Sequence, residues 1–180
     1  AVTKLSRDRS RETWQLGILD APQALEADAV VLSCDAHTSA RLLRGVLPRA
    51  SSELAGISMP GLAVVGLGYS KKSSIKSFPL GFGALIPRGE GFRTLGCLFD
   101  TQLFPGRSPS GSVLVRCMIG GATDPEAVQL SDQELLGITI DDMKRLFKLR
   151  DAPDSYEIVR WDKAIPQYEL GHLDRCGRIE

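Results

Sequence analysis

A mixed α+β fold is predicted by three features of this chain. Short apolar runs punctuated by turns rich in glycine, proline and serine recur from residue 62 to 119, the signature of successive strands. A single long helical period follows, opening on Ser131-Asp132-Gln133-Glu134, a capping box in sequence form. At the start, Val2–Leu5 and Thr13–Leu19 flank a polar turn at Arg7–Arg11, as two antiparallel strands would. With 180 residues, 43% of them hydrophobic, the chain has enough material for one or two compact units.

The elements follow in chain order. Trp14, Leu16 and Ile18 alternate with polar residues, which suits a strand covered on one face. Asp28–Cys34 is a short, nearly continuous apolar run, as expected of a strand covered on both faces. Asp35 is placed to cap a helix in which Ala36, Ala40, Leu43 and Leu47 share a side, ended by Gly45, Pro48 and the serines beyond. Composition changes near Met59-Pro60-Gly61, the best internal boundary. Strands are then expected at Leu62–Tyr69, Phe82–Ile86, Thr94–Phe99 and Val113–Ile119. In the helix after Ser131, Leu135, Ile138, Met143, Leu146 and Phe147 lie near one side, with Asp142 a polar intruder among them. The pair Asp141-Asp142 reads as solvent-facing. A last strand at Tyr156–Trp161 leads into Ile165-Pro166-Gln167-Tyr168.

Several chemistries are excluded. Lys+Arg and Asp+Glu balance at 22 each, so no global field favours nucleic acid. The four cysteines, Cys34, Cys97, Cys117 and Cys176, are widely spread, and with two histidines they form no metal-binding spacing. Cys34, Cys97 and Cys117 fall in apolar strand-like runs and read as small hydrophobes in a reducing cytoplasm. No run approaches the length of a membrane span, and no signal peptide is visible. Gly66-x-Gly68 and Gly81-x-Gly83 lack the third glycine and following helix of a dinucleotide fingerprint. His37 beside Cys34 reads as part of a helix start, and His172 as a structural histidine. What remains is an apolar and aromatic set beside glycines: Phe82, Leu85, Leu98, Met118, Trp161 and Tyr168. Such a set suits either a plain core or the walls of a pocket for a flat apolar ligand.

Longer strings favour the pocket. Leu80-Gly81-Phe82-Gly83-Ala84-Leu85-Ile86-Pro87, Leu95-Gly96-Cys97-Leu98-Phe99-Asp100, Cys117-Met118-Ile119-Gly120-Gly121 and Ile165-Pro166-Gln167-Tyr168-x-x-Gly171-His172 occur in order. Through essentially the whole chain they resemble the protoporphyrinogen oxidases, flavin-dependent enzymes of haem and chlorophyll synthesis. The resemblance implies residues 1–58 as a β-meander and returning strand of an FAD-binding domain. It implies 59–165 as a substrate-binding domain with a mixed, mostly antiparallel sheet backed by helices, and 166–180 as a return segment toward the FAD-binding domain.

It also implies roles. Phe82, Gly83, Leu85, Leu98 and Met118 would line the tetrapyrrole site, Val2 would lie against the adenosine part of FAD by backbone contact, and Trp161 would lie by the flavin. The family reaction passes hydrides from protoporphyrinogen IX to FAD, and molecular oxygen reoxidises the cofactor. The glycine-rich fingerprint for the FAD pyrophosphate is not among these residues, so the chain is expected to be an inactive internal fragment of a longer enzyme. Two other readings stay open: oxidation of coproporphyrinogen III by the same fold, favoured by basic residues such as Arg88, Arg93 and Arg107, and a non-catalytic tetrapyrrole-binding module. Peripheral attachment to the cytoplasmic membrane and a homodimer are compatible with the residues and demanded by none of them.

Overall fold

The computed structural model describes residues 1–70 and 72–180. The chain divides into two compact units, Ala1–Ser58 with Pro166–Glu180, and Met59–Ile165.

The first unit holds a three-stranded antiparallel meander: β1 (Val2–Asp8), β2 (Thr13–Ile18) and β3 (Leu25–Ala27), paired in that order. Its first turn is closed by Asp8, whose Oδ1 accepts from the Ser10 and Arg11 amides and the Ser10 hydroxyl. The expected strand at Asp28–Cys34 does not form. Those residues run without a strand partner among the described residues, and Val31 is 90% exposed. An apolar run becomes a strand only where a neighbouring ladder takes its amides, and among the described residues none lies beside it. Cys34, expected to be a small core hydrophobe, is exposed for the same reason.

Asp35 caps α1 (Ala36–Leu43), its carboxylate accepting from the Thr38 amide at 2.9 Å. Pro48, expected to end a helix, begins α2 (Pro48–Ala55). The ring's fixed φ and missing N–H suit the first helical position, where that donor has no partner anyway. The Ser51 hydroxyl ties α2 to α1 through the Ala40 carbonyl at 2.7 Å.

The second unit is a five-stranded sheet with every pair antiparallel: β4 (Leu62–Tyr69), β5 (Gly83–Leu85), β6 (Thr94–Leu98), β7 (Val113–Gly120) and β8 (Ser155–Trp161), in the order β5-β6-β7-β4-β8. Among the described residues three α-helices accompany it, α3 (Lys72–Ile75), α4 (Asp100–Leu103) and α5 (Asp132–Phe147), with two short 3-10 turns at Gly121–Thr123 and Pro125–Gln129. Ala63, Val65 and Leu67 of β4 and Val115, Cys117 and Ile119 of β7 are fully buried on one face, with Leu135 and Met143 of α5 in the same core. Tyr69, Phe78, Phe99 and Phe147 extend that core as a ring cluster with centroids 5.2 to 5.9 Å apart.

The capping box forms in full: the Ser131 hydroxyl accepts from the Glu134 amide while the Glu134 carboxylate accepts from Ser131. Asp142, read from sequence as solvent-facing, is buried. Its Oδ2 accepts from the Thr94 amide at 2.9 Å and the Arg93 amide at 3.2 Å, pinning α5 to the start of β6. Two backbone donors left over where β6 begins give the carboxylate a reason to be inside.

The third piece of chain rejoins the first unit. There α6 (His172–Ile179) packs on α2, with Arg178 bidentate to the Glu53 carboxylate at 2.7 and 3.0 Å. His172 stacks on Tyr168 with ring centroids 4.5 Å apart, and His37 bonds the Ile57 carbonyl at 2.7 Å. Both histidines thus have structural partners, and His37 makes its bond away from Cys34.

Candidate functional site: the open face of the five-stranded sheet

Strand alternation places every second residue of the second unit's sheet opposite its core face. The pairing registers align these residues into rows. One row reads Leu85, Gly96, Met118, Val64, Val159 from β5 to β8, and the next reads Gly83, Leu98, Arg116, Gly66, Glu157. Trp161 sits beyond them on the same face, paired with Leu62. Gly83, Leu85, Leu98, Met118 and Trp161 are therefore brought to a single face. Leu98 and Met118 are half-buried, whereas Leu85 is 89% exposed and Trp161 56%. The plain-core alternative does not hold for Phe82, Leu85, Trp161 or Tyr168, all of which are exposed.

The members are not equally close. Leu85 and Met118 are two strand spacings apart, about 10 Å, while β5 and β8 are four apart, about 19 Å. Phe82 immediately precedes β5. Its carbonyl accepts from the Phe99 amide at 2.9 Å and its ring is 76% exposed. Val2 belongs to the other unit. It lines an apolar cleft of about 360 Å³ there with Leu5, Leu16, Val30, Val31 and Leu42.

The glycines on the face have different causes. At Gly83, with φ +157°, a Cβ would collide with the Cys97 carbonyl, and at Gly96 it would meet the Ala84 carbonyl at 2.6 Å. Both are glycine because β5 lies so near β6. Over Gly66, by contrast, a Cβ would meet only the Glu157 carbonyl, at 3.8 Å. No other described atom lies within 4 Å of that point, so the floor beside Arg116 is open there. The following row, Leu114, Gly68 and Ser155, forms part of a cleft of about 320 Å³ that also includes Arg107, Ser108 and Asp154.

Charge enters at few points. Arg93 is taken up by Asp124, with contacts of 2.8 and 2.9 Å that push its guanidinium further toward the charged form. Arg107 lies over the Phe104 ring at 5.7 Å, and Arg88 is exposed. The cation on the face itself is Arg116, which the sequence reading passed over. The available signal was its place between Leu114 and Met118 at the outward beat of β7, with an acid, Asp100, two residues after β6. Cys97 and Cys117 face one another across β6 and β7 on the core side, and burial pushes both thiols up. Among the described residues no group of acids, histidines and cysteines is placed to hold a metal ion. The face offers a broad, largely apolar surface with one guanidinium on it.

The open-faced sheet of one unit, and the meander with short helices of the other, have counterparts in solved structures. A crystal structure from Exiguobacterium sp. 255-15, of a candidate protoporphyrinogen oxidase, superposes on 99% of this chain and 37% of its own with a TM-score of 0.74 at 22% identity, a likeness of fold alone. The model of the flavin containing amine oxidoreductase family matches residues 1–175, and the chain belongs to that family. Similar relatives are coproporphyrinogen III oxidase of Bacillus subtilis, 31% identical over 178 residues, and protoporphyrinogen oxidase 1 of Arabidopsis thaliana chloroplasts, 31% identical over 180. The matches cover 99% and 96% of this chain but 37% and 33% of those relatives, so the chain spans about a third of their length.

Proposed function

We propose that this chain is the substrate-holding part of an FAD-dependent oxidase that converts a porphyrinogen to its porphyrin. The observation that carries the reading is the single sheet face on which Leu85, Leu98 and Met118 stand beside glycines. A tetrapyrrole macrocycle is wide and largely apolar apart from the carboxylates on its rim, and what such a ligand needs is branched aliphatic contact over a broad floor. Family membership supports the cofactor, and the names of the relatives support the substrate class.

The residues fit their parts. Leu98 and Met118 would press on the macrocycle, with Leu85 and Phe82 closing the β5 side and excluding water. Val2 and the extended residues after Ala29 offer an apolar wall and backbone groups, which suits the adenosine part of FAD. Trp161, at the opposite edge from β5, is where the flavin end would approach. FAD, when bound, would supply the hydride acceptor, with molecular oxygen as the proposed final oxidant. This chain's work is to fix the ring so that a methylene bridge is presented in one orientation.

Protoporphyrinogen IX is the first reading. Coproporphyrinogen III is the second, and the placement of Arg116 on the face favours it, because that substrate carries more carboxylates. A cytoplasmic location belongs to the same proposal, supported by four thiols that all remain unpaired. No helix among the described residues is long and apolar enough to cross a membrane.

The test is porphyrin fluorescence produced by the full-length, flavin-loaded gene product from each porphyrinogen in air. Porphyrin from either one, faster than autoxidation, is expected. Flavin-loaded protein that yields none from either would end the proposal.

A further inference from the structure

We propose that Arg116, held in place by Asp100, is the group on the open face that receives a carboxylate of the tetrapyrrole. The inference rests on the porphyrinogen reading and adds to it a specificity-determining residue.

Asp100 is the first residue of α4, and its side chain is 10% exposed. It takes Arg116 in bidentate fashion, Nε to Oδ2 at 3.0 Å and Nη2 to Oδ1 at 2.6 Å. That fork fixes the plane of the guanidinium while leaving its side chain 40% exposed. A guanidinium has five N–H donors and Asp100 occupies two, so three remain to be used. The Nη1 group makes no hydrogen bond among the described residues.

The surroundings explain why those donors matter. Arg116 is flanked along its row by Leu98 on one side and Gly66 on the other, with Met118 two residues on. Over Gly66 the face is open. A macrocycle lying on Leu98 and Met118 therefore brings its rim to Arg116 with no side chain in between at Gly66. Glu157, the acid facing this point from β8, lies across Gly66, about 10 Å from the Arg116 position. A carboxylate on the rim is thus drawn to the Arg116 side and repelled from the β8 side, which sets the ligand's rotation on the face. Arg107, at the cleft that includes the next row, is a further cation able to take a second carboxylate.

The experiment is a fluorescence titration of the full-length protein with coproporphyrin III and with its tetramethyl ester, in the same detergent. Wild type, R116Q and R116K are compared. A charge-assisted pair in a partly desolvated site predicts a wild-type preference for the free acid of about tenfold or more. R116Q is expected to lose about that factor for the acid and to keep its affinity for the ester, with R116K between the two. Equal loss for acid and ester would make Arg116 a structural residue and overturn the assignment, as would no loss for either. Because wild type alone must prefer the acid, a variant that fails to fold does not rescue the idea. Wild type that binds neither ligand sinks the porphyrin reading itself, and the assignment falls with it.

Discussion

The two faces of the five-stranded sheet come from alternate residues of the same strands, yet they are built to opposite rules. On one face Val65, Leu67, Val115, Cys117 and Ile119 are fully buried in a continuous core. On the other Val64, Gly66, Arg116 and Met118 keep part of their surface, and two of the nearby glycines are there only because β5 presses on β6. Stability is concentrated on the first face, and the second is the one proposed for recognition. Period-two alternation thus lets one stretch of sequence serve both without compromise.

Substitution should separate the faces. The largest effect is expected at Leu67→Ala, which removes a fully buried side chain and should cost about 2–5 kcal/mol of stability. Met118→Ala, on the adjoining strand but the other face, should cost about 1 kcal/mol or less while raising KM for the porphyrinogen. Thermal unfolding and steady-state kinetics on both variants check the pair. Equal destabilisation would mean that Met118 is core, and the contrast would be lost.

Asp142→Ala tests the edge of the buried face. It would leave the Arg93 and Thr94 amides without their acceptor, at about 1–3 kcal/mol. Amide hydrogen exchange should then quicken at residues 93–95 before it does in β4. Cysteine labelling sharpens the same contrast without mutation. Iodoacetamide at neutral pH should modify exposed Cys34 first. Cys97 and Cys117, whose thiols burial holds above their ordinary range, should react only on unfolding. Mass spectrometry of timed samples reads the order.

The smallest effect lies in the other unit. Hydrogen bonds from Arg178 hold the Glu53 carboxyl below its ordinary value of 4.5. A depressed carboxyl contributes its stability above that value and loses it as pH falls through the folded-state value. The unfolding midpoint of this unit should therefore drop below pH 4.5, and Glu53→Gln should flatten the slope. The pair is exposed, so the change is slight.

Much of this was legible in advance. The strands of the second sheet announced themselves through period and turn chemistry, and the Ser131 box named its helix start. What sequence hid was decided by partners far along the chain. Asp142 looks solvated until the amides of residues 93 and 94 are brought to it. Residues 28–34 look like a strand because hydrophobicity is local, whereas a ladder neighbour is not. Pro48 breaks a helix or begins one according to what precedes it. At the site, the apolar residues could be picked out singly, but their common face follows only from register. Arg116 went unnoticed because a lone arginine in a strand carries no signal until its row is known.

The second unit also begins and ends at one place. The Ala164 amide donates to the Pro60 carbonyl at 3.2 Å, and on the first unit's side the Gln167 amide donates to Ser58 at 2.9 Å. To the first unit, the whole of residues 59–165 behaves as a short, already closed loop. Joining Ser58 to Pro166 therefore carries little of the entropy that a flexible excursion of that length would exact. A segment so inserted is free to grow, shrink or be exchanged over evolutionary time while its host keeps its own packing, which gives one frame a means of acquiring new substrate faces.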